Sequence, residues 1–235
     1  MTPHWHAASS LLATDLRSIF GGRLLSIVAY GAHLDGDDRA PLTCLALVET
    51  LTALDLEGCA KATATWSRAG LATPLILPAE EFRRSLDTFP LEYGEIMRAH
   101  AHVLGEDPFT GLSIATADLR RACETQIASH LLHLREGFME AGANPTRVGQ
   151  LVAASAPAFT AILRNLARLE GAAPLERAQA THHGARAMGI SAQLVDDMLH
   201  IEGASLIATV DPARLFPEYL AAVEHMARSV DAWPT

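Results

Sequence analysis

Three cysteines are all the chain has, Cys44, Cys59 and Cys123, odd in number and far apart. No CxxC pair and no Cys/His finger spacing occurs, which argues against a structural zinc site and a disulfide framework. Reduced thiols in a cytoplasmic protein are the expectation. Basic residues are also in short supply: Lys and Arg number 18 against 27 Asp and Glu, for a formal net charge of −9. A broad grip on nucleic acid needs clustered cations, so no nucleic-acid partner is expected. No apolar run reaches the length of a bilayer span. The N-terminus lacks a basic start followed by an apolar block. Neither a membrane helix nor a signal peptide is expected. A P-loop, a dinucleotide fingerprint and a serine-hydrolase elbow are missing too.

What is there is an apolar, folding chain. Hydrophobic residues make up 49% and charged residues 19% of 235 positions, enough for one large domain or two small ones. Leu11, Leu12, Leu16, Ile19 and Phe20 recur at helical spacing until Gly21-Gly22 stops them. "RLLSIVAY" (23–30) and "LTCLALV" (42–48) read as neighbouring strands, and "ATPLIL" (72–77) as a third. Residues 51–68 read as a helix, and "AEEFRRSL" as a short one after Pro78. "LDTFPLEY" (86–93) reads as extended, a helix is expected around Ile96 to Val103, and "GLSIAT" (111–116) as a last strand. Five helices then complete the chain. The first runs from a Thr116 cap to Gly142, with Leu119, Cys123, Ile127, Leu131, Leu134 and Phe138 as its stripe. The second opens with Asn144-Pro145 and carries Pro157, which should kink it. The last three are expected over Pro174–Met188, Ser191–Ala204 and Asp211–Trp233. The expected division is an α/β part, residues 1–116, and an all-α bundle, residues 117–235.

The informative stretch is "YGAHLDGDDRAPLTCLALVE", Tyr30 to Glu49: strand, glycine turn, acidic loop, second strand. It resembles the DNA polymerase β-like nucleotidyltransferase superfamily, in which a Gly-Ser turn precedes a strand bearing Asp-x-Asp. The resemblance implies a mixed sheet with helices followed by a helical domain. It also implies a glycine that admits a triphosphate and a serine that binds phosphate. Two carboxylates on one strand face would hold paired magnesium ions for in-line displacement. Gly31 is retained, but Ala32 stands where the serine belongs. Thr43 and Leu45 stand where the carboxylates belong, and no Asp or Glu occurs between Asp38 and Glu49. Later segments resemble the same superfamily. "LDTFPLEY" should form the strand with the third acid, making Asp87 the candidate and Glu92 the second. "DLRRACE" should open the helical domain, placing Arg120 and Arg121 near a nucleotide.

The resemblance therefore implies a degenerate member, a pseudoenzyme with a binding or regulatory role. Its expected ligand is a nucleotide or small molecule between the two parts, with no firm metal or cofactor. The alternative is an active nucleotidyltransferase that modifies a small molecule or protein, using magnesium on Asp87, Glu92 and a loop acid (Asp35, Asp37 or Asp38). A third reading is an interaction module whose bundle binds a protein partner or another copy. Other groups read as structural. Asp196 and His200 lie four apart on one helix face and could ligate a metal with His182 and His183, but a helix-surface pair is the commoner arrangement and no HExxH pattern supports a metal. His100 and His102 would diverge on a helix. His130 and His133 lie near the core stripe, with no nucleophile in view. Arg120 and Glu124 have ion-pair spacing, with Arg135 further along the same helix. Cys44 should face away from the site.

Overall fold

The computed structural model describes residues 5–34, 40–142, 144–171, 176–203, 211–231 and 233. The chain divides into two compact units, Met1–Ile114 and Ala115–Thr235.

In the first unit, α1 (Trp5–Phe20) ends in a 3-10 turn, Gly21–Arg23, that feeds β1 (Leu24–Tyr30). Then come β2 (Thr43–Val48), α2 (Ala53–Arg68), β3 (Leu75–Pro78), α3 (Ala79–Arg84), α4 (Pro90–Arg98) and β4 (His100–Gly105). The sheet order is β3-β2-β1-β4; β1 runs antiparallel to β2 and β4, and β2 parallel to β3. One face packs on α1 and α2. Leu12, Leu16, Ile27, Ala29, Cys44, Ala46 and Trp66 are buried there, and Trp66 donates its ring N–H to Asp15 at 2.8 Å. Thr52 and Asp55 form a capping box at the start of α2. The Asp55 carboxylate also takes two bonds from Arg23, at 2.7 and 2.9 Å. This fork ties the entry of β1 to α2 and holds the Asp55 carboxyl well below the usual carboxylate range.

Three expectations fail here. "LDTFPLEY" is a turn followed by α4, because Pro90 occupies a first-turn position and starts a helix instead of bending a strand. The fourth strand is "HAHVLG", in the region expected to be helical, and residues 111–115 form no strand. Pairing with β1 overrides the weak local signal, as is common for strands.

In the second unit, α5 (Thr116–Ala141), α6 (Pro145–Leu169), α7 (Arg177–Ala187), α8 (Ala192–Gly203) and α9 (Pro212–Asp231) supply the helices. Leu119, Cys123, Ile127 and Leu134 are buried along α5. Thr116 is its first helical residue and makes no side-chain cap; Ala115 holds the cap position. Asn144 does cap α6, and Pro157 lies inside a helix that continues through it. Ser191 and Asp211 accept N–H bonds at the starts of α8 and α9. The expected ends at Pro174 and Ala204 lie outside the described residues. Gly184 lets α7 approach α6 closely, since a Cβ there would sit 1.8 Å from the Leu163 carbonyl oxygen. Among the described residues no helix is long and apolar enough to cross a membrane.

Candidate functional site

The second face of the sheet is where the catalytic groups of the resembling superfamily would stand. Period-2 alternation puts Val28 and Tyr30 of β1, and Thr43, Leu45 and Leu47 of β2, on that face. The structure brings Gly31, Thr43 and Leu45 together. Gly31 leaves β1 with φ +86°, and Leu34 N–H closes the turn onto its carbonyl at 2.9 Å. A Cβ at Gly31 would lie 2.7 Å from the Thr43 hydroxyl, so glycine is required by both torsion and space. That hydroxyl donates to the Tyr30 carbonyl across the hairpin. Ala32 offers no hydroxyl. His33 Nδ1 donates to the Ala40 carbonyl at 2.9 Å, tying the two ends of the acidic loop. Gly36 and the loop acids Asp35, Asp37 and Asp38 lie outside the described residues.

Leu45 is 1% exposed. It sits between Val28 on β1 and Leu75 on β3. Above it α3, α4 and the segment after β4 close the face with Phe82, Tyr93, Ile96 and Phe109. The Phe82 ring lies 4.6 Å from Tyr93 and 5.7 Å from Phe109, in tilted pairs. None of the four described strands contains an Asp or Glu. Magnesium takes oxygen ligands, with near-ideal octahedral geometry. A leucine buried in an apolar cluster with three aromatic rings does not fit it, so no step through paired magnesium ions can be built on this face.

The expected third acid is not on a strand. Asp87 lies in the turn before α4 and takes a bond from the Thr88 hydroxyl at 3.2 Å. Glu92 is in the first turn of α4. Both are exposed. Arg120 pairs with Glu124 at 2.5 Å and Arg121 with Asp118, each along α5 itself. Arg120 Nε is buried without a partner among the described residues. Arg135 reaches Glu224 of α9 at 2.8 Å.

His100 and His102 lie on β4, where a spacing of two puts them on one face, contrary to the helical reading. Each is held separately, His100 by the Ile96 carbonyl at 3.1 Å and His102 by that of Gly105. Asp196 meets His182 at 3.1 Å. Among the described residues no group of three His, Cys, Asp or Glu is placed to hold a metal. Cys44 is buried on the opposite sheet face, and burial pushes its thiol up to about 12.

The sequence reading missed what His130 touches. Its Nε2 lies 2.6 Å from the Tyr219 hydroxyl, which lies 3.1 Å from Ser155 Oγ. Ser155 donates to the Val152 carbonyl at 3.0 Å. Ser155 must therefore accept from Tyr219, and Tyr219 from His130 Nε2–H. The donors run from histidine to serine, the reverse of a base that activates a nucleophile. Tyr219 is fully buried, and the chain links α5, α9 and α6 as a structural brace. Burial, with a smaller contribution from His133, lowers the His130 pKa to about 4.

No protein-family model matches the sequence, and no curated protein matches it. Among solved structures the fold is that of nucleotidyltransferase-like proteins with a following helical part. A spectinomycin adenyltransferase from Enterococcus faecialis, solved with ATP and spectinomycin, matches with a TM-score of 0.59. The match covers 94% of this chain and 98% of that one at 12% identity. At that identity the likeness is one of fold.

Two outcomes follow. Leu45→Asp buries a carboxylate without partners and should cost about 3–5 kcal/mol in urea unfolding. Leu45→Met should cost less than about 1.5 kcal/mol. For His130, the folded chain resists a proton that the unfolded chain accepts. Its contribution is full above pH about 6.5, falls between about 6.5 and 4, and levels off below. Wild type should lose on the order of 2–3 kcal/mol more than His130→Gln across that window.

Proposed function

We propose that this protein is a catalytically degenerate member of the nucleotidyltransferase-like superfamily. It keeps the fold and has a binding or regulatory role, its ligand a nucleotide or small molecule, without transferring a nucleotidyl group. One observation carries the reading: Leu45, where a metal-binding carboxylate belongs, is sealed in an apolar cluster with Phe82, Tyr93 and Phe109. Phosphoryl-type transfer depends almost wholly on positioning and charge stabilisation, so losing the charged groups removes the chemistry and not only its rate. The surrounding loss is consistent. Ala32 cannot bind phosphate through a hydroxyl, Thr43 spends its own on the Tyr30 carbonyl, and Asp87 and Glu92 lie off the sheet. The fold match to a protein solved with ATP and a small molecule supports a binding role for the same scaffold.

The test uses the full chain with each nucleoside triphosphate, magnesium and spectinomycin as trial acceptor. Pyrophosphate release should not exceed the protein-free rate. Any triphosphate that raises the melting temperature should do so equally with and without magnesium. Magnesium-dependent pyrophosphate release that scales with protein concentration would overturn the reading.

A further inference from the structure

A β-bulge opens a second place on the same sheet face, at the end away from Gly31. Leu24 pairs with Val48 and Ser26 with Leu47, so Leu25 is the extra residue. Bulges bend a strand and re-aim its side chains. Across from it, Gly105 pairs with Ser26 at φ +83°. A Cβ on Gly105 would stand 2.0 Å from the Leu25 carbonyl oxygen, so this approach is open to glycine alone. The chain then passes through Glu106 and Asp107 to Phe109. Between this segment, β1, β2 and α3 lies a pocket of about 440 Å³. That is within the size range of small-molecule sites.

Its chemistry is divided. Leu25, Leu47 and Phe82 give it an apolar floor. Ser26 is 4% exposed and lines the pocket, yet its hydroxyl has no hydrogen-bond partner among the described residues. It is therefore free to bond water or a polar atom of a pocket occupant. The mouth is acidic. Arg83 is neutralised by Glu80 at 2.6 Å, while Glu106 has no ion-pair partner among the described residues. Asp107 accepts from Phe109 N–H at 2.9 Å and faces His100 Nε2 at 3.7 Å.

We propose that this pocket binds a small organic cation: an amine or amidine on an apolar ring or chain. The apolar part lies over Leu47 and Phe82, the cation meets Glu106 and Asp107, and a polar atom reaches Ser26. The site is separate from the Gly31 turn and stands whether or not the chain transfers nucleotides.

Tryptamine and its uncharged counterpart indole-3-ethanol, titrated into the full chain by calorimetry or NMR, provide the test. Tryptamine should bind saturably and at least about tenfold more tightly than the alcohol. Glu106→Lys, at an exposed position, should weaken tryptamine about tenfold and leave the melting temperature unchanged. Ser26→Val should weaken it as well; if that variant fails to fold, Glu106→Lys decides alone. No saturable tryptamine binding, equal binding of the two probes, or undiminished binding to Glu106→Lys would overturn the proposal.

Discussion

The apolar cluster that buries Leu45 together with Phe82, Tyr93 and Phe109 is the constraint on which the first unit depends. It joins the middle of the sheet to two helices and the segment that follows β4. Fully burying one such side chain stabilises a fold by about 1.5–3 kcal/mol, so a cluster of this size is a large share of a marginal total. The same atoms decide the chemistry. A face that holds metal ions needs oxygen donors and access to water; this one offers neither at Leu45. On the proposed reading, what stabilises the domain is also what leaves no place for metal ions at Leu45.

The face is not uniform along its length. Near Gly31 the hairpin is tight, with Thr43 bonded to the Tyr30 carbonyl. In the middle, aliphatic and aromatic side chains fill it. At the far end the Leu25 bulge and the close approach of Gly105 part the layers again, and the pocket there is lined by groups of mixed polarity. In the second unit, polar groups inside the bundle act as braces. His130, Tyr219 and Ser155 satisfy one another in a single direction, which fixes the protonated nitrogen of His130 and leaves no free nucleophile.

Much of the fold was legible in the residues. β1 and β2 are short, β-branched and apolar, with glycine or loop on either side. The long helices carry 3.6-period stripes that end at Gly142 and Gly171. "HAHVLG" was not legible, because an edge strand with two histidines has little apolar pattern of its own and is defined by pairing with β1. "LDTFPLEY" was misread because proline fits both a bent strand and a first helical turn, and only burial of Leu91, Tyr93 and Ile96 distinguishes them. At the proposed site, the absence of a carboxylate from β2 could be read directly from residues Thr43 to Val48. The packed cluster around Leu45 could not. Phe82, Tyr93 and Phe109 come from three segments that no sequence period connects, and Ser26 looks like any strand residue until the bulge is seen.

Methyl-labelled leucine NMR of the full chain, titrated with manganese and ATP, tests the central claim most directly, because manganese broadens only resonances close to where it binds. With Leu45 assigned through Leu45→Met, its methyl signals should stay sharp throughout the titration. Selective broadening of the Leu45 methyls, saturating with the manganese nucleotide, would place a metal on this face and contradict the account.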